Sequence, residues 1–220
     1  MSVLSARNGY RLWAPTYAAE TVVTALEERT VEAFAIPVTG KRLLDAACGT
    51  GRRLRGAAAG LAIGIDLTPE MLPKVQSDQL YAASDVRALP FRSAEFDVVW
   101  CRLALGHVPE LAAPYTELAR VCRPCGHVIV TDFHPEAARA GHRRSFRDES
   151  GAVHEIEHYV HTLDGHVRAA DAACLTALEH DDRVIGPSVR DFYVRADRVS
   201  AYDEQIGLPL VLGIVFSRRQ

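Results

Sequence analysis

Apolar positions along this chain recur in two ways. Over 17–35, Val22, Val23, Leu26, Val31 and Phe34 return near the helical repeat and Pro37 follows as a stop, which predicts a helix. Short continuous apolar runs predict buried strands: KRLLDAA, LAIGID, LYAAS, FDVVW and GHVIVTDF. Between them, GRRLRGAAAG over 51–60 reads as a helix starting at Gly51 and ending near Gly60. TPEMLPKV over 68–75 reads as a short helix, with Thr68 as N-cap and Pro69 in the first position. PELAAPYTELARVC reads as a helix with Pro114 in its early turns. Strands alternating with helices imply parallel pairing through crossovers, with helices on both faces of an α/β sheet.

After Phe133 the alternation changes. Residues 134–165 are polar, DESG reads as a hairpin turn, and the segment is expected to be an insertion, a lid over the site of a single domain spanning 1–220. Residues 1–36 are expected to form an N-terminal helical cap. HVRAADAACLTAL predicts a helix and EHDDRVI a strand. Over 188–206 Val189, Phe192, Tyr193, Ala196, Val199 and Ile206 are spaced helically, with Ser188 as N-cap and Gly207 as the stop. This helix is expected to pack over the active-site side or against a second subunit of a homodimer, through Phe192, Tyr193 and Tyr202. LPLVLGIVFSRR predicts a last strand.

Composition narrows the class without naming it. The 220 residues suit one domain; 48% are apolar and 24% charged, ordinary for a soluble globular protein. A formal charge of −3 gives no reason to expect a nucleic-acid partner. No apolar run is long enough for a membrane span, and the N-terminus lacks a secretory pattern. Five scattered cysteines do not form a disulfide framework, and the expectation is a cytoplasmic protein with reduced thiols.

The most informative run is LLDAACGTG, 43–51. A strand leads through Gly49 and Gly51 towards a predicted helix, whose N-terminus would offer free N–H groups. In an open parallel sheet a ligand lies beyond the carboxyl ends of strands, so a cofactor is expected over 45–52. The dinucleotide fingerprint needs a third glycine, and Leu54 stands there. Asp66 ends the next strand and suits a ribose diol, which NAD and S-adenosylmethionine both carry.

Four motifs choose between them. LLDAACGTG, IGIDLTPEML, SDVRALPFRSAEFDVVW and ELARVCRPCGHVIVTDF occur in order, and YRLWAPTYAAE precedes them. Together they resemble the class I S-adenosylmethionine-dependent methyltransferases, in particular the small-molecule group of the ubiquinone/menaquinone C-methyltransferases. The resemblance implies a Rossmann-like, seven-stranded, mostly parallel sheet with an antiparallel last strand, S-adenosylmethionine as cofactor, and transfer to a small-molecule acceptor by displacement at the methyl carbon.

The resemblance also implies residue roles. Main chain at Ala47, Gly49 and Gly51 would cradle the aminoacid part of the cofactor, with Asp45 near its ammonium. Asp66 would accept from the ribose, with Leu67 and Met71 against the adenine. Asp85 would take the adenine amino group and Val86 N–H a ring nitrogen, though Asp85 equally suits an N-cap or loop. Cys101 would line the channel to the methyl group, with Arg102 beside it. Tyr10 and Tyr17 would close over the methionine moiety or simply pack the N-terminal helix.

A base is needed only if the acceptor must lose a proton, and histidine suits that near neutrality. His107 and His134 follow strands on the expected edge and are the candidate catalytic and substrate-binding histidines. His158 and Tyr159 of the insertion and Tyr193 of the late helix are further substrate-binding candidates. If VHEIEHYVH is a strand, His154, Ile156, His158 and Val160 share one face. The histidines lack a fixed ligand spacing, so no metal is expected. Arg143 and Arg144 offer cations to an acidic substrate, though surface arginines are common. CRPC reads as structural, with Cys125 where the family usually has glycine. Competing readings are another group transfer from a modified cofactor, a non-catalytic cofactor-binding protein, and an NAD-dependent oxidoreductase, the last disfavoured by Leu54.

Overall fold

Each apolar run becomes a strand, and the computed structural model describes residues 3–17, 20–74 and 79–220. The chain opens with β1 (Val3–Leu4), α1 (Ala6–Trp13) and α2 (Val22–Ala33). Then come β2 (Arg42–Ala46), β3 (Leu61–Asp66), β4 (Leu80–Ala83), β5 (Phe96–Arg102), α3 (Ala112–Val121) and β6 (Cys122–Phe133). The segment after β6 holds α4 (Pro135–Arg139), β7 (Ser145–Arg147) and β8 (Val153–Ile156). The chain closes with α5 (Leu163–Ala172), β9 (Leu175–Val184), α6 (Arg190–Arg195), α7 (Val199–Gln205) and β10 (Pro209–Arg218).

The main sheet has seven strands in the order β4–β3–β2–β5–β6–β10–β9. β2 to β6 pair in parallel, and β10 runs antiparallel to both β6 and β9. The expected Rossmann-like sheet with an antiparallel last strand is the observed one. All of β5 is buried because both of its faces are covered. Val98 and Trp100 enter the core beneath Phe34 and Leu54, whereas Val99 and Cys101 enter the opposite core with Tyr115 and Leu118. Strand order reverses between β2 and β5, which leaves a crevice at their carboxyl ends. A second sheet, β1–β8–β7, joins the N-terminal residues to the expected insertion, and the DESG hairpin forms between β7 and β8.

Several helices differ from expectation. The helix expected over 17–35 starts at Val22, where Thr21 and Thr24 cap each other's N–H groups (Thr24 N–H to Thr21 Oγ1, 3.2 Å; Thr21 N–H to Thr24 Oγ1, 2.9 Å). Tyr17 instead ends a 3-10 turn, and residues 18 and 19 lie outside the described residues. No helix forms over 51–60. Gly51 has φ +64°, and the alanine-rich half is committed elsewhere: Gly40 N–H donates to Ala58 O (3.0 Å) and Gly60 N–H to Lys41 O (2.9 Å). Over 68–75 there is one 3-10 turn, Pro69–Met71, and Thr68 makes no side-chain cap; Val75 is outside the described residues.

The helix expected over 166–178 starts earlier and ends at Ala172, because Cys174 turns left-handed (φ +61°) and Leu175 begins to pair with β10. The helix expected over 188–206 breaks into α6 and α7 at Asp197 (φ +54°), a residue type that tolerates this conformation. VHEIEHYVH is a strand only over Val153–Ile156, so His158 and Val160 do not share its pleat. CRPC follows directly on α3, whose C-cap is Cys122, and opens β6, where its residues loop out of register with β5. Cys125 takes the left-handed conformation (φ +60°) that glycine would adopt freely. Among the described residues no helix is long and apolar enough to cross a membrane.

Candidate active site

The carboxyl ends of β2, β3 and β5 open into a cavity of about 700 Å³, roofed by α1 and the segment after β6. Its floor is the loop after β2. Ala47, Gly49 and Gly51 all have positive φ (72°, 54° and 64°), so the backbone folds back on itself at alternate residues. No helix follows the loop, and several of its N–H groups are taken up within the protein. Cys48 N–H donates to Ile65 O (2.8 Å), Gly49 N–H to Asp66 Oδ2 (2.9 Å) and Gly51 N–H to Cys48 O (3.0 Å). The floor is therefore tied to β3 rather than backed by a helix dipole.

Two carboxylates end the two strands. Asp45 is fully buried and neither of its oxygens has a hydrogen-bond partner among the described residues. Burial pushes its carboxyl up to about 6, against the nearby Arg53 and Arg102 guanidiniums, which pull it down. Asp66 lines the cavity, takes Gly49 N–H on one oxygen and Thr68 N–H on the other (2.8 Å), and is raised by burial. Leu67 and Met71 flank it, and Asp85 and Val86 stand further along the same wall. Asp85 is held below the usual carboxylate range by Arg87, whose Nη2 lies at 2.6 Å.

Beneath the floor sits a charge cluster that the sequence reading missed. Glu27 of α2 is fully buried and accepts from Arg102 Nη2 (2.9 Å), Arg53 Nη2 (2.9 Å) and Thr131 Oγ1 (3.1 Å). The two guanidiniums and these hydrogen bonds overcome the burial that opposes ionisation and hold its carboxyl down to about 2. Arg102 also lies over the Trp100 ring, 5.0 Å from its centroid. The signal was present: Glu27 falls at helical spacing with Val23, Thr30 and Phe34, on the face expected to be apolar.

The roof brings Tyr10, Tyr17, Trp13 and His107 together. Tyr17 packs edge-on to Trp13 (4.8 Å between centroids) and to Tyr10 (5.9 Å), and burial pushes its phenol up to about 12. His107 Nδ1 lies 2.9 Å from Glu157 O, which can only accept, so Nδ1 carries the proton. Nε2 then accepts from Tyr10 Oη (3.0 Å), whose oxygen in turn accepts from Arg144 Nη2 (3.1 Å). Burial, and then Arg144, lower the His107 imidazole to about 4, so it is neutral at pH 7.

Of the expected site residues, the cavity wall includes Tyr10, Tyr17, Ala47, Gly49, Asp66, Leu67, Met71, Asp85, Val86, His107 and Tyr159. Asp45 lies just beneath the floor, and Gly51 ends the loop against Tyr81. Four expectations are corrected. Cys101 does not line the cavity: strand alternation sends it to the Tyr115 side, and Arg102 faces the cavity instead. His134 is turned away as the N-cap of α4, accepting from Glu136 N–H (3.1 Å) and meeting Asp182 (3.2 Å). Tyr193 packs on Tyr202 and bonds Gln205 (3.2 Å), because the α6–α7 pair closes the core around Leu26 and Leu210. His158 does not line this cavity: it lies beneath Gly106, 3.9 Å from Asp132, and faces a second cavity behind the wall. His154, His161 and His166 each take a structural partner, respectively Asp148, Val108 O and Tyr115.

Residues 44–130 match the family model described as a methyltransferase domain. The fold is that of the S-adenosylmethionine-dependent methyltransferases. The chain is similar to a malonyl-[acyl-carrier protein] O-methyltransferase of Erwinia billingiae, 35% identical over 103 residues, covering 44% of this chain and 41% of that one. The chain spans under half the length of the curated relatives it matches first. An S-adenosylmethionine-dependent methyltransferase structure from Mesorhizobium loti shares the methyltransferase fold with a TM-score of 0.66 at 18% identity, over 88% of this chain and 98% of that one. Phosphoethanolamine N-methyltransferase 2 of Haemonchus contortus, solved with S-adenosyl-L-methionine, gives a TM-score of 0.67 at 16% identity, over all of this chain and 61% of that one.

Proposed function

We propose that this protein transfers a methyl group from S-adenosylmethionine to a small-molecule acceptor. The observation that carries this reading is the paired ends of β2 and β3, which bring Asp45, the folded-back loop and Asp66 to one side of a roofed cavity. The residues fit the cofactor. Among the described residues neither oxygen of Asp45 has a partner, and both would receive an ammonium group, directly or through water. Asp66 keeps one lone pair on each oxygen for the two hydroxyls of a ribose. Leu67, Met71 and Val86 would cover the adenine, and Asp85 would accept from its amino group.

When bound, the sulfonium supplies a methyl group already activated for displacement. The protein's own task is alignment and exclusion of water. Tyr17, Trp13 and Tyr10 would shield the methionine end beneath α1. His107 Nε2 accepts from Tyr10 Oη, so the pair fixes the direction of the phenol on the cavity wall. Residues 134–165 act as a lid, through Tyr159 and Arg144 on its cavity side. Calorimetry with S-adenosylmethionine and S-adenosylhomocysteine tests the reading: submillimolar binding of both is expected, and binding of neither would remove it.

A further inference from the structure

A second cavity, of about 630 Å³, lies behind the first. The two share a wall that contains Phe133, Arg144, Glu157 and Tyr159. Arg144 is half-buried there and faces both spaces. The cavity's other guanidiniums are largely spoken for: Arg53 and Arg102 share Glu27, Arg52 meets Glu28 at 3.5 Å, and Arg87 grips Asp85. Arg143 donates to two backbone carbonyls, Ala138 O at 3.2 Å and His142 O at 3.0 Å. Arg144 differs. Arg7, Arg55 and Arg143 also form no ion pair among the described residues, but they are exposed; Arg144 is half-buried, and its hydrogen bond goes to the Tyr10 hydroxyl. Glu157, the carboxylate on the same wall, is instead held by Ala6 N–H (3.1 Å).

A charged side chain in an enclosed wall is costly unless an anion completes it. The guanidinium fork suits a carboxylate, which it can grip through two N–H groups. The second cavity extends from this point past the apolar side chains of Val3, Phe133, Pro135, Ala138 and Val160, with Arg139, Glu155 and His158 on the same wall. Such a lining accepts an aliphatic chain.

We propose that Arg144 holds a carboxylate of the methyl acceptor, and that the acceptor's aliphatic remainder occupies the second cavity. This rests on the methyltransferase reading and adds the substrate class, an aliphatic carboxylic acid. The cofactor carries a carboxylate of its own, but its methionine end is expected near Gly49, and Tyr17 and then Tyr10 lie between that loop and Arg144. The acceptor side of the cavity is therefore the nearer source.

Octanoate and octanamide serve as probes, titrated by calorimetry into protein saturated with S-adenosylhomocysteine. Octanoate is expected to bind about tenfold or more tightly than octanamide, as a charge-assisted pair requires. Arg144→Met should erase that preference while S-adenosylhomocysteine still binds. Arg144→Lys, which keeps the charge and loses the fork, should retain a reduced preference and carries the comparison if the methionine variant does not fold. Equal binding of acid and amide, no binding of octanoate, or a preference that survives Arg144→Met overturns the proposal. So does an Arg144→Met variant that loses S-adenosylhomocysteine but keeps methylthioadenosine, because the guanidinium then reads the cofactor's carboxylate. Failure of the wild type to bind S-adenosylhomocysteine defeats the methyltransferase reading itself and is seen before any acid is added.

Discussion

Replacing Glu27 with glutamine removes the negative charge that Arg53 and Arg102 share beneath the cavity. A carboxyl held at about 2 instead of 4.5 corresponds to about 3 kcal/mol of native-state stability. Mutational cost points to the same range, since breaking a buried ion pair and leaving its partners uncompensated costs about 3–5 kcal/mol. For a chain of this size about 3 kcal/mol lowers Tm by about 6–12 °C. The sign in pH follows from the depressed carboxyl. Its contribution is complete above 4.5, the unfolded value, and is lost as pH falls through about 2. Denaturant melts of wild type and Glu27→Gln from about pH 7 to 3 should therefore show a gap that narrows below 4.5. A gap under about 1 kcal/mol at pH 7, or one that stays constant down to pH 3, would refute the reasoning.

Three further predictions follow from the same geometry. Asp45 titrates near 6 when unpartnered, so affinity for S-adenosylhomocysteine should fall by up to about tenfold per pH unit below that value; Asp45→Asn should bind weakly and flatly, and a flat wild-type profile between pH 7 and 5 contradicts an ammonium partner. His107 should titrate near 4 by NMR, against 6.5 when unfolded, and stability should be full above 6.5 and drain away as pH falls through about 4; a midpoint near 6.5 would contradict the bond network drawn from Glu157. Gly51→Ala places a Cβ at φ +64° against the Tyr81 side chain and should destabilise by about 1–3 kcal/mol in thermal melts, where no loss would show that the loop has room to relax.

The strands were legible because an apolar run buried on both faces leaves few alternatives, as β5 and β10 show. Helices were less legible where backbone bonds to distant segments compete with local propensity. The stretch over 51–60 is rich in alanine and arginine, yet its carbonyls and N–H groups serve 40 and 41. The placement of Asp45, Gly49, Asp66 and Asp85 at or just past strand ends was readable, since the sheet dictates it. The direction of side chains that depend on strand facing or on later segments was not. Choosing Cys101 over Arg102 is a one-residue error in strand facing, and one residue inverts the face. His134 and Tyr193 failed for another reason: their directions depend on a helix cap and on the α6–α7 break, and no periodicity announces either. Glu27 was overlooked because two arginines from distant segments complete it only once the sheet has formed.

The central claim is that the trailing ends of β2 and β3 hold S-adenosylmethionine. Its most direct test is titration of S-adenosylhomocysteine into the wild type and into Asp66→Ala at pH 7.5. Submillimolar binding by the wild type and a loss of about tenfold or more in the variant are expected, since the ribose would lose both of its acceptors. Equal affinity in the two proteins, or no binding to the wild type, would contradict it.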